Sequence, residues 1–389
     1  MLFDSSLALP LDVEFTVVGV DAGSGHGVLA GHGGRVLLTT DFRFSYTTGR
    51  SAVRELQGSI DGIPVSICGS IWVTAGKLGL LLSEVRLGSD ELAAKYVSVR
   101  AIYEHGGLAS GYRVEDGAGR NLGDPLALPA LGVAGAMTLR YPVGDAVVVE
   151  TTDPAPMEEF DDHLAAWQDL LTFAEDQPIG RLELTALDTA GRTVTIHGHD
   201  RYAPFGKSAR KPIEFVLRLG GTYAQEVLEG WWRARADLRP VPQVLAGTLY
   251  QPGFVESELI ALAAVAEHTG RTLLPGATRS AHYRDVLRFI AAGLGTEIVQ
   301  ATKVDAEEWG NHLLWARNDI AHQGAPNASR GAQYVTEAES RAVRDATRIL
   351  ATLTLAQHIG VPPRVLGRAA ERLGMRYSVR HWSTSIFRR

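Results

Sequence analysis

A single cysteine, Cys68, occurs in 389 residues, which excludes an intramolecular disulfide framework and any cysteine-rich zinc site. Long apolar runs are missing as well. None reaches the roughly 18 uninterrupted residues needed to propose a membrane span. The opening stretch, Met1 to Pro10, lacks the basic start of a secretory signal. These absences suit a soluble protein in a reducing cytoplasm. Nucleotide signatures are equally scarce. No Gly-x-x-x-x-Gly-Lys-Ser/Thr loop occurs, and the run from Gly23 to Gly27 lacks both the spacing and the following helix of a dinucleotide site. His197 and His199 fall on one side of a strand with no third ligand beside them, so a turn is expected there, with no metal and no cofactor.

What is present describes an ordinary globular chain, 45% hydrophobic and 21% charged, long enough for two or three domains. The net charge of −6 is unevenly divided. From Gly247 onward 17 Lys+Arg face 13 Asp+Glu, a balance of +4, whereas the preceding part holds 21 against 31, or −10. Only the C-terminal part has the sign expected of a nucleic-acid partner.

Residues 11–150 read as short strands broken by glycine turns. Strands are expected over 13–18, 35–39, 59–67, 95–102 and 146–150, with turn signals at Gly33-Gly34, Asp61-Gly62, Gly106-Gly107 and Asp116-Gly117. The spacing favours an antiparallel sandwich or open barrel. One helix interrupts it, with Phe160, Leu164, Trp167, Leu171 and Ala174 at helical spacing. Strands return at 181–185, 193–197 and 213–219, and a second helix covers 221–236, where Trp231 and Trp232 divide into one core and one surface residue. Arg239-Pro240-Val241-Pro242 reads as a boundary between a β-rich domain, 1–243, and a helical domain, 247–389.

Beyond it the period is helical: 254–268, 278–294, 305–322, and a long helix opened by the capping box Thr336-x-x-Glu339 and closed by Gly360 before Pro362-Pro363. The fold class is therefore α+β, a β-rich domain followed by an all-α bundle with a C-terminal appendage. Arg341, Arg344 and Arg348 line one side of the long helix. Glu337 and Asp345 stand four residues either side of Arg341, so ordinary surface pairing accounts for them. Arg364, Arg368, Arg372, Arg376 and Arg380 recur every four residues, a gently winding basic stripe suited to tracking RNA phosphates.

The most informative stretch is Arg317-Asn318-Asp319-Ile320-Ala321-His322, at the end of an amphipathic helix. Asn318 and His322 share a helix face and Arg317 adjoins it. A fixed cation able to grip phosphate, a polar orienter and a group titrating near neutrality suit metal-free cleavage of RNA by its own 2′-OH. Glu267, near the end of the first bundle helix, would orient one member of the pair.

The Arg317–His322 string resembles the Arg-polar-x-x-x-His motif of the HEPN superfamily of helical ribonucleases. The order of a β-rich domain before the bundle resembles the ApeA group within it. Residues 160–174 are similar to a helix of that group's N-terminal domain, and residues 262–268 to the first HEPN helix and its acidic residue. The resemblance implies a HEPN endoribonuclease with Arg317, Asn318, His322 and Glu267 at its site. It also implies an abortive-infection role against phage, with RNA, tRNA in particular, as target and a phage-encoded protein as trigger. One Arg–His pair is a thin site for a reaction wanting both acid and base, so a homodimer with a composite cleft is expected. The competing reading is a catalytically inactive HEPN module that binds RNA or nucleotide, its β-domain recognising a phage or host protein.

Overall fold

Alternating apolar and polar residues organise the first half of the chain into strands. In β1 (Leu11–Val18), Val13, Phe15 and Val17 are buried while Asp12, Glu14 and Thr16 are exposed, the period of a half-buried strand. A computed structural model describes residues 10–18, 23–32, 35–40, 53–74, 77–89, 94–105, 126–128, 137–140, 146–198, 216–217, 223–273, 282–321 and 337–377. Among these, the protein is α+β: an antiparallel sheet precedes a helical part.

The strands continue as β2 (Gly23–His32), β3 (Arg35–Thr40), β4 (Val53–Ile60), β5 (Ile63–Thr74) and β6 (Lys77–Leu87). Then follow β7 (Tyr96–Tyr103), β8 (Leu126–Leu128), β9 (Met137–Arg140), β10 (Ala146–Ala155), β11 (Arg181–Asp188) and β12 (Thr193–Gly198). Their order is β3-β2-β1-β4-β5-β6-β12-β11-β7-β10-β9-β8, and β3 also pairs with β6. Strands β1 to β6 thus form a closed circuit of pairings. Strand β6 serves both halves on one edge: Gly79 to Leu81 meet β3, and Glu84 to Leu87 meet β12. Phe15, Leu29, Leu38, Leu56, Ile67, Leu80 and Val85 pack into one apolar cluster of the first six strands.

Two strand expectations change. The run 59–67 is a hairpin, because Asp61 and Gly62 both take positive φ (51° and 76°), the backbone of a tight two-residue turn. Residues 23–32, where no strand is expected, form β2, paired on both sides by β1 and β3. Glycine is used here for close approach. A Cβ on Gly58 of β4 would lie 1.9 Å from the Glu14 carbonyl oxygen of β1, so only glycine lets these backbones meet. Of residues 213–219 only Val216 and Leu217 are described, and they form a bend whose Leu217 amide donates to the Ala174 carbonyl.

The helices are α1 (Met157–Glu175), α2 (Ala224–Asp237), α3 (Val241–Tyr250), α4 (Val255–Leu273) and α5 (Tyr283–Leu294). They continue with α6 (Thr296–Thr302), α7 (Ala306–Ala321), α8 (Glu337–His358) and α9 (Pro363–Arg376). Two compact units result. One comprises residues 1–108, 112–168 and 179–212; the other comprises 109–111, 169–178 and 213–389. The boundary read at 243–247 therefore lies inside the helical unit. Its prolines do not make a linker: Val241 and Pro242 are the first residues of α3, where proline's missing N–H costs no helical hydrogen bond. Within this unit α4 packs on α8, α7 on α5 and α8, and α9 on α6 and α8. Trp231 and Trp232 are both buried, correcting the expected division, and the Trp231 ring stacks at a tilt 5.3 Å from Phe173 of α1.

Candidate active site

Arg317 lies in the last turns of α7, and its guanidinium is held from two directions. Nη2 is 3.0 Å from Glu267 Oε2 on α4, and its carbon sits 4.8 Å from the centre of the Tyr283 ring, at the start of α5. A carboxylate at one edge and an aromatic face beneath leave few orientations to a side chain that is still 39% exposed. Glu267 is itself anchored. Its other oxygen, Oε1, accepts from Arg271 Nε at 3.0 Å and lies 2.9 Å from Arg271 Nη2. Glutamate four residues before arginine on one helix is the favourable order for such a pair. Two guanidiniums thus share one carboxylate.

Tyr283 is nearly fully buried, and its hydroxyl donates to the Ala263 carbonyl of α4 at 3.3 Å. Burial pushes its phenol well above the usual tyrosine range, against the pull of Arg317. The ring is therefore a neutral platform and cannot serve as a base near neutrality. Sequence reasoning missed both Arg271 and Tyr283. The spacing of Glu267 and Arg271 was a usable signal; nothing local marks Tyr283.

Of the expected site residues, the structure brings Glu267 and Arg317 together. Asn318 is half-buried on α7, and His322 lies outside the described residues, one position beyond the end of that helix. His268 is exposed on α4, which continues past it to Leu273. Among the described residues no group of His, Cys, Asp and Glu could hold a metal ion.

The basic stripe divides. Arg364 and Arg368 are exposed on α9 and Arg372 is half-buried, while Arg380 lies outside the described residues. Arg376 does not fit the RNA-binding role: Nη1 donates to the carbonyls of Glu175 at 2.5 Å and Asp176 at 3.1 Å, and to Asp176 Oδ2 at 3.2 Å. It caps the C-terminus of α1, where orphan carbonyls and the helix dipole favour a cation.

That contact belongs to a buried polar network in the helical unit. Tyr377 donates to Asp176 Oδ1 at 3.1 Å, and Arg235 of α2 donates to Asp169 Oδ2 at 2.6 Å. Burial raises the Asp176 carboxyl above its ordinary range, with Arg348 and Arg376 opposing. Arg348 is interior, donating to Leu245 O at 3.3 Å and Thr248 Oγ1 at 2.7 Å; Arg344 reaches Glu258 at 3.1 Å. Surface pairing is thus the wrong account of the arginines at 344 and 348. Arg344 also meets its neighbour Asp345 at 2.6 Å, but Glu258, Leu245 and Thr248 lie 86 to 103 positions from the arginines they bind, beyond any helical spacing rule. Comparison of the chain with protein-family models, with curated proteins and with solved structures finds no match.

Proposed function

We propose that this protein is a metal-independent endoribonuclease of the HEPN type, a homodimeric defence effector acting on cellular RNA, with tRNA as target. The observation that carries the reading is Arg317: a part-exposed guanidinium, fixed by Glu267 and Tyr283, at the end of the helix that His322 follows. In this reading Arg317 neutralises charge on the equatorial phosphate oxygens while the RNA's 2′-OH attacks. His322 moves the proton, and Asn318 orients phosphate or base. The bond formed joins the 2′-oxygen to phosphorus and the bond broken is to the 5′-oxygen. Products therefore end in a 2′,3′-cyclic phosphate and a 5′-hydroxyl. Arg364 and Arg368 supply exposed charge for the RNA backbone.

The test uses total bacterial RNA in EDTA, with end sequencing. Wild type is expected to cleave, and Arg317→Ala and His322→Ala are each expected to lose about 100-fold or more while remaining folded. Unchanged rates in both folded variants would remove the enzymatic reading in favour of an RNA-binding module. Strict Mg²⁺ dependence, or cleavage at a 2′-deoxy position, would contradict the chemistry.

A further inference from the structure

We propose that Arg271 and Tyr283 are positioning residues for Arg317, fixing its guanidinium through Glu267 on one edge and through the ring on its face. The proposal deepens the reading above and rests on it for its functional consequence. Glu267 and Arg271 stand one turn apart on α4; Arg271 Nε and Nη2 both reach Oε1, while Arg317 meets Oε2. Each carboxylate oxygen thus has its own cation, and Arg271 restrains the flexible glutamate that Arg317 engages. Tyr283 is pinned in turn by burial and by its hydrogen bond to Ala263 O.

Arg271 and Tyr283 restrain the same guanidinium in different ways: one holds the carboxylate that Arg317 meets, the other provides the face beneath it. Neither residue needs to touch RNA. Each acts through another group, and their loss should reduce turnover rather than affinity.

Two readouts test this. In a folded wild-type sample, NMR of arginine side chains should show slow rotation of the Arg317 guanidinium, assigned by its absence in Arg317→Lys. Arg271→Gln should restore fast rotation. Arg271→Lys, which keeps the charge but loses the fork, serves also where Arg271→Gln does not fold, and should give intermediate behaviour. On RNA, Arg271→Gln should lower kcat by about 10- to 100-fold with KM nearly unchanged. Tyr283→Leu, which removes the ring, should fall with Arg271→Gln, whereas Tyr283→Phe, which keeps the ring and loses only the hydrogen bond to Ala263 O, should fall by less. Unaltered Arg317 rotation in the folded Arg271 variants would overturn the proposal. So would a fall of about 0.7 in the RNA salt slope, which would mark Arg271 as a direct phosphate contact. If wild type cleaves no RNA, the proposed function fails, and the NMR result still decides the positioning of Arg317.

Discussion

Arg376 and Arg364 are separated by twelve positions on one helix and have opposite environments. The regular spacing made them look equivalent, and periodicity indeed placed both on α9. It could not show that the far end of the stripe meets the carbonyls of Glu175 and Asp176, because those partners are some 200 residues away. Removing Arg376 leaves a buried carboxylate and carbonyls without one of their donors. Arg376→Gln should therefore destabilise on the order of 3 kcal/mol, read as a lowered denaturation midpoint. Arg364→Glu with Arg368→Glu should leave the midpoint nearly unchanged and lower the RNA salt slope by about 1.4. Equal effects of both changes on stability would refute this division. At the site, Arg317 was legible as a cation at a helix end, and Glu267 as an acidic neighbour. Tyr283 was not, since an aromatic at helical spacing reads as core and only three dimensions reveal a cation over its face.

Helix α7 shows what an element's pattern conveys and what it hides. Trp309, Leu313 and Ala316 are buried as the helical period implies, and Trp309 Nε1 donates to Thr347 of α8 at 3.0 Å. His312 is buried too, 3.2 Å from Glu308 Oε2, with its ring edge-on to Trp315. Burial pushes its imidazole below the ordinary value, while Glu308, Glu339 and Asp305 oppose. An imidazole in the unfolded chain titrates near about pH 6.5. Below that value the unfolded chain binds more protons at this position than the folded one. The His312 contribution is thus fully present above about pH 6.5 and declines as pH falls toward the lower folded value. In His312→Gln, the acid-side loss of melting temperature should be shallower than in wild type; an equally steep loss would contradict the assignment. Strand β2 makes the complementary point. Its glycines weaken any strand signal, yet pairing on both flanks overrides that preference.

For the molecule as a whole, the broad order of a sheet followed by helices was legible from the change of period. The place of division was not. Residues 169–178 come from the middle of the sheet-forming sequence and belong to the helical unit, where Asp169 meets Arg235 and Asp176 meets Arg376. No break in the chain marks this exchange, since α1 runs uninterrupted from Met157 to Glu175. A fragment of residues 247–389 would keep Arg376 and Arg348 but lose Asp176 and the Leu245 carbonyl. It should show no cooperative thermal transition by circular dichroism. A sharp transition at the temperature of the intact protein would disprove the dependence on residues 169–178.

The long reach of the Asp176 contacts also sets an order in time. All pairings of the closed circuit β1 to β6 lie within residues 11–87, so a nascent chain has every partner it needs for them early in synthesis. The carboxylate of Asp176, by contrast, emerges about 200 residues before Arg376 and Tyr377. Until then the end of α1 has neither its cap nor its tyrosine and must remain hydrated. The last turn of α9 therefore completes the helical unit: a chain ending before it lacks the guanidinium that caps α1.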